Sequence, residues 1–210
     1  MENNLIFWNE DTQKDFMYEG WALPVPGAER IIPNLEKLTR FARENNYKVV
    51  NTGDWHTKDS REFSDNPDYV NTFPPHCLRN TEGAELIPET MPENSYIIDW
   101  TMESFDANKV QTNRNVVIYK DAFNVFDDVN GNLHTRNIVN LLNPNKVVVY
   151  GVATNVCVDY AVMGLLKMGK EVYAVTDAMK ELPGMELPYE KWKAHGAKLV
   201  TTKNVLENKI

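Results

Sequence analysis

The chain predicts a three-layer α/β/α fold around a mostly parallel central sheet. Short runs of β-branched and aromatic residues recur along it, and several are continuously apolar. Strands of that kind are covered on both faces, as in parallel sheets. Segments with a helical spacing of apolar residues lie between the runs, which predicts crossover connections with helices on both faces. No repeat, low-complexity segment or composition break interrupts the 210 residues, so one domain is expected over 1–210.

The predicted strands are Leu5–Trp8, Lys48–Asn51, Tyr96–Asp99, Asn115–Lys120, Lys146–Gly151 and Glu171–Thr176, with a last one at Lys198–Thr201. Among the helices, Ile31, Leu35, Leu38 and Ala42 share one face between Pro26-Gly27 and Asn45-Asn46. A second helix, Arg136–Leu142, stops before Pro144, because the residue preceding proline disfavours helix. A third runs from about Asn155 to Lys167, with Gly169 beyond its end, and a short one covers Pro188–His195. Thr57 to Asn94 is rich in Pro, Asn and Asp without periodicity, too long for an ordinary connection, and reads as a functional loop. The Glu85–Asn113 stretch suggests a lid or a subunit contact beyond its one strand.

An apolar fraction of 42% and a charged fraction of 25% are ordinary for a globular protein. The net charge of −8, with no basic tract, argues against a nucleic-acid surface, which needs clustered Lys and Arg. A neutral or metal-bound small substrate stays open. No run approaches the roughly 18–20 apolar residues that span a bilayer, so no membrane partner is expected. The Met1-Glu2-Asn3-Asn4 start lacks the features of a signal peptide. Cys77 and Cys157 are the chain's two cysteines, too few for a disulfide framework, so a reducing cytoplasm is expected. A homo-oligomer is compatible with the sequence.

In open α/β sheets ligands collect at the carboxyl ends of the strands. There the first strand leads to Asp11, the second to Asp54 and His56, the fourth ends on Lys120, and the fifth runs into Thr154-Asn155-Val156-Cys157. Asp54 and His56, two apart in extended backbone, project to one side. With Glu62 and His76 they make a mixed oxygen and nitrogen set suited to Zn²⁺, Fe²⁺ or Mn²⁺. An isolated Asp-x-His pair often only caps a loop, but two of the chain's four histidines fall in this set. His134 and His195, in polar contexts, are expected to be solvated.

Cys157 sits near the start of a predicted helix, where free N–H groups and the helix dipole favour thiolate and could line an oxyanion hole. Lys120 could stabilise that thiolate, and Asp11 could shuttle its proton. Each has a plainer alternative: Lys120 as a surface lysine, Asp11 as a turn residue, Cys157 as a core filler.

The ordered set Asp11-Thr12-Gln13-Lys14-Asp15-Phe16, Asp54-Trp55-His56, Pro74-Pro75-His76-Cys77, Lys120 and Gly151-Val152-Ala153-Thr154-Asn155-Val156-Cys157-Val158 resembles the isochorismatase-like cysteine hydrolases, and within them the nicotinamidase (pyrazinamidase) branch. The likeness runs from the first strand to about Asp177. It implies that Asp11, Lys120 and Cys157 are catalytic, and that Asp54, His56 and His76 hold one divalent metal ion, Zn²⁺ foremost, with Fe²⁺ or Mn²⁺ as alternatives. Glu62 stands at the family's variable ligand position. The resemblance also implies an oxyanion hole from the N–H groups of Ala153 and Cys157, a cis peptide between Val152 and Ala153, and aromatic walls from Phe16 and Phe73. The implied reaction is hydrolysis of nicotinamide to nicotinic acid through a thioester, a step of NAD salvage. Asp121–Asp127 departs from the family's Ser- and Tyr-rich segment, and Glu62 replaces the commoner histidine. Another small amide, a ureido compound or a vinyl ether is the alternative substrate. A non-catalytic metal-binding protein is the alternative of another class.

Overall fold

Among the described residues, seven strands form one sheet in the order β3-β4-β2-β1-β5-β6-β7. They are β1 (Leu5–Glu10), β2 (Lys48–Asp54), β3 (Ser95–Ile98), β4 (Asn115–Lys120), β5 (Lys146–Val152), β6 (Glu171–Lys180) and β7 (Lys198–Val200). The computed structural model describes residues 4–129 and 131–210, so the Met1-Glu2-Asn3 start considered above lies outside the described residues. Every strand pair is parallel. The helices are α1 (Lys14–Met17), α2 (Ile32–Glu44), α3 (Ala107–Thr112), α4 (Thr135–Leu142), α5 (Cys157–Lys167), α6 (Tyr189–Ala194) and α7 (Thr202–Leu206).

The two-residue period of a strand splits its apolar side chains between two cores. Phe7, Val148 and Tyr150 pack with Leu35, Leu38 and Ala42 of α2 on one face. Ile6, Trp8, Val147 and Val149 pack on the other face, with Ile138 and Val139 of α4 and Val158, Ala161 and Leu165 of α5. Both faces are covered, which is why these strands read as unbroken apolar runs. No helix among the described residues is long and apolar enough to cross a membrane.

Several strands run further than their apolar runs. β1 continues through Glu10, opposite Gly151, and β2 continues to Asp54, opposite Lys120. These charged ends look like loop in the sequence, yet they are buried members of the ladder. α5 begins at Cys157, not Asn155, because the Asn155 side chain is engaged elsewhere. Its Nδ2 donates to the Leu182 carbonyl at 2.8 Å and its Oδ1 accepts from the Leu182 N–H at 2.9 Å.

α1, α3 and α7 were not foreseen; they span 4, 6 and 5 residues, too few to show a period. Residues 57–94 are irregular apart from a 3-10 turn at Glu82–Ala84, tied down by isolated bridges that pair His56 with Leu78 and Phe63 with Phe73. The Glu85–Asn113 stretch supplies β3, a sheet-edge strand, and α3.

His134 corrects an expectation. It is buried, with Nε2 2.7 Å from the Met102 carbonyl and its ring 5.3 Å from that of Phe105. Its polar neighbours concealed that the chain around residues 102–105 folds back over it. His195 is exposed, as expected.

Candidate active site

β1 lies between β2 and β5, and from it the chain fills the sheet in both directions. The carboxyl ends of β1 and β5 therefore flank a crevice of the kind where open α/β sheets bind ligands. Asp11 leaves β1 in the left-handed region, at φ 49°, a conformation that Asp tolerates better than most residues. Its Oδ1 accepts from Thr52 Oγ1 at 2.7 Å, and its own N–H donates to that oxygen at 3.2 Å. Lys120, the last residue of β4, is fully buried. Its Nζ lies 2.8 Å from Asp11 Oδ2, forms a short ion pair with Asp54 Oδ1, and lies 3.7 Å from Cys157 Sγ. Carboxylate oxygens of Asp11 and Asp54 and the Cys157 sulfur all lie within 4.8 Å of one another.

Burial and mutual charge set the proton affinities. Burial works against the charge of Lys120, yet Asp11 and then Asp54 hold its ammonium well above the usual lysine range. Burial likewise opposes ionisation of Asp54, but Lys120 and His56 prevail and hold it well below the carboxylate range. For Asp11 burial wins over the pull of Lys120, so its proton affinity rises. Burial pushes the Cys157 thiol up, with Lys120 opposing. Burial thus favours the protonated thiol at Cys157 and raises the proton affinity of the neighbouring Asp11.

The expected metal set is also brought together. One ligand atom from each of Asp54, His56, Glu62 and His76 falls in a group within 4.8 Å, and all four residues are buried. His56 Nε2 lies 3.6 Å from Asp54 Oδ2 and 3.7 Å from Glu62 Oε2, and His76 Nε2 lies 3.7 Å from Asp54 Oδ2. The outer nitrogens are engaged: His76 Nδ1 with the Pro74 carbonyl at 2.8 Å, His56 Nδ1 with Asp121 Oδ1 at 2.8 Å and Ser60 Oγ at 3.1 Å. Glu62 Oε1 accepts from the Phe123 N–H at 2.7 Å. Gln13 locks Asp54 in place, donating to its carbonyl at 2.7 Å and accepting from its N–H at 2.7 Å.

His56 Nε2 and Glu62 Oε2 are buried without a hydrogen-bond partner. Orphaned polar atoms are costly, and two that converge beside further donors suit a divalent cation. In the metal-free protein burial opposes the charge on His56, but Asp54 and Asp121 raise its pKa to about 9. Burial, with the Asp54 charge, raises Glu62 to about 8.

A small cavity joins these two groups. Cys157, Asp54 and His76 line it, and its other walls are apolar: Phe16, Phe73 and Phe123, with Leu23, Val25, Val156 and Leu182. The rings of Phe16 and Phe73 stand 5.3 and 6.3 Å from that of His76. The Val152–Ala153 peptide is cis. Beyond it the N–H groups of Val156 and Val158 both donate to the Ala153 carbonyl and that of Thr154 to Lys180. No acceptor among the described residues takes the N–H of Ala153 or Cys157.

Asp121, Ser60 and Phe123 were not singled out from the sequence. Asp121 and Phe123 lie in the segment noted as departing from the family pattern, which was the available signal. Leu182 comes from the β6–α6 connection and carries no local signal.

The isochorismatase domain family matches residues 5–204. The nicotinamidase/pyrazinamidase of Mycobacterium tuberculosis is 27% identical over 168 residues, covering 80% of this chain and 81% of that protein. The crystal structure of the pyrazinamidase of Pyrococcus horikoshii in complex with zinc superposes with a TM-score of 0.74 at 28% identity, covering 94% of this chain and 99% of that one. The N-carbamoylsarcosine amidase of Thermoplasma acidophilum, at 18% identity and a TM-score of 0.70 over 94% of this chain and 96% of that one, shares the fold. With the match running from β1 into α7, this chain belongs to the isochorismatase family of hydrolases.

Proposed function

We propose that this protein is a metal-dependent cysteine amidohydrolase that converts nicotinamide to nicotinic acid and ammonia, acting through a single catalytic domain. One observation carries the reading: an apolar cavity lined by the aromatic rings of Phe16, Phe73 and Phe123 has the Cys157 thiol and two residues of the metal-ligating group, Asp54 and His76, on its lining. A planar heteroaromatic amide is a substrate that such a cavity can hold by its ring while offering its carboxamide to sulfur. The names of the Mycobacterium tuberculosis and Pyrococcus horikoshii relatives support it. The activity would place the protein in NAD salvage, in the cytoplasm.

Asp54, His56, Glu62 and His76 would hold a divalent cation, Zn²⁺ foremost with Fe²⁺ or Mn²⁺ as alternatives, which would supply a Lewis-acidic anchor for the pyridine nitrogen. The chemistry belongs to the chain's own residues. Asp11 takes the thiol proton as Cys157 Sγ bonds to the carboxamide carbon. The N–H groups of Ala153 and Cys157 receive the developing oxyanion. Asp11 returns the proton to the leaving nitrogen, the C–N bond breaks, and ammonia departs from a thioester. Water then adds to the thioester as Asp11 takes one of its protons. The C–S bond breaks, nicotinic acid forms, and Asp11 reprotonates the Cys157 thiol. Lys120 keeps Asp11 and Asp54 in register by charge throughout. Phe16 and Phe73 flank the ring.

The test is ammonia release from nicotinamide by the purified protein, as isolated, after chelation, and after adding back each metal. Loss with chelator and recovery with metal is the expected result. Cys157→Ala should lower turnover by roughly 10⁴-fold or more while leaving metal content unchanged. Undiminished activity in that variant would remove Cys157 from the mechanism. The Phe123 wall motivates including bulkier aromatic amides in the assay, and faster turnover of one of them would reassign the substrate while keeping the reaction class.

A further inference from the structure

We infer that Asp121 is a positioning residue of the metal centre, holding the His56 imidazole in the Nδ1–H tautomer so that Nε2 faces a divalent cation. The inference rests on the metal-dependent reading above.

His56 is completely buried, and its Nδ1 lies 2.8 Å from Asp121 Oδ1. A carboxylate oxygen facing Nδ1 accepts a hydrogen bond from it, so a proton stays on Nδ1, and the neutral ring that binds a cation presents its lone pair at Nε2. That Nε2 has no hydrogen-bond partner and lies 3.6 Å from Asp54 Oδ2 and 3.7 Å from Glu62 Oε2. His76 reaches the same tautomer by another route, since its Nδ1 meets the Pro74 backbone carbonyl at 2.8 Å. The orientation of His76 is thus written into the backbone, whereas that of His56 depends on side chains. An anionic partner also makes an imidazole a stronger donor to metal than a neutral carbonyl does.

The sheet explains how Asp121 arrives there. Asp54 of β2 stands opposite Lys120 of β4, and the Trp55 N–H donates to the Lys120 carbonyl at 2.9 Å. That bond carries the pairing one residue past the end of β2, in a register that sets Asp121 level with Trp55 and so one residue from His56. Two consecutive residues of one strand end then grip two ligands of the next strand, Lys120 on Asp54 and Asp121 on His56.

The experiment is a chelator-competition titration of Zn²⁺ and Mn²⁺ with the full chain and with Asp121→Asn, Asp121→Glu and Ser60→Ala. Asp121→Asn should weaken metal binding by about 10- to 100-fold. Asp121→Glu should recover part of that loss, and Ser60→Ala, which removes a neutral neighbour, should cost less than Asp121→Asn. Unchanged thermal unfolding of metal-free Asp121→Asn would show that the loss is local. Long-range ¹H–¹⁵N correlation on metal-loaded wild-type protein should show His56 protonated at Nδ1, a readout that needs no variant. Metal bound at Nδ1, or an Asp121→Asn affinity within twofold of wild type, would overturn the inference alone. A wild-type protein that binds neither ion would overturn the metal reading and this inference together.

Discussion

Around Lys120 Nζ three ionisable partners share one buried ammonium group: Asp11, Asp54 and Cys157. Removing that charge leaves two carboxylates within 4.8 Å of each other and out of water. Lys120→Met should therefore destabilise the metal-free protein by about 3–5 kcal/mol and abolish turnover, as read by denaturant unfolding and ammonia release. The metal group invites a second test at this scale. With pKa values raised to about 9 and about 8, His56 and Glu62 hold protons at neutral pH that a cation must displace. Affinity should rise with pH from 7 towards 9 and fall below that window, with proton release on binding. Calorimetry in buffers of different ionisation enthalpy measures it; a pH-independent affinity would contradict the protonated metal-free state.

At the scale of the element, the connection from β5 into α5 determines where the sulfur sits. Gly151 adopts φ +124°, and a Cβ there would lie 2.0 Å from the Glu10 carbonyl oxygen. Side chains rarely adopt that backbone conformation, and the neighbouring β1 leaves no space for one. Gly151→Ala should cost roughly 3 kcal/mol or more and displace the Thr154–Cys157 turn from Asp11, so stability and turnover fall together. Much of this element was legible in the chain: the apolar run of β5, the glycine within it and the reactive cysteine after it. The helix start was not, because Asn155 resembles a cap locally while its side chain is committed to Leu182 across the fold.

For the whole molecule, a ligand that binds only the folded state raises its stability by mass action. Free metal at 100 times its dissociation constant contributes about 2.7 kcal/mol, which raises Tm by roughly 5–10 °C in a chain of this length. Thermal unfolding with and without chelator should show that shift in the wild type and in Cys157→Ala, and His56→Ala should lose most of it. An equal shift in His56→Ala would place the ion elsewhere.

Taken by itself, the chain determined what is local and periodic. Continuous apolar runs marked β1, β4 and β5, because strands covered on both faces need no alternation. Reactive residues at the ends of those runs marked one edge of a sheet, and the spacing of Asp54 and His56 marked a shared direction. Only the tertiary structure decided which strands are neighbours, since an apolar run specifies two covered faces but no partner. The strand order brings Asp11, Lys120 and Cys157 within reach across gaps of 109 and 37 positions. It likewise decided that Asp121 meets His56, 65 residues away, and that His134 is buried beneath a segment 32 residues before it. Contacts of that range depend on ladder register and on how connections fold back over the sheet. Both arise from packing the whole chain, and no local window of sequence contains them.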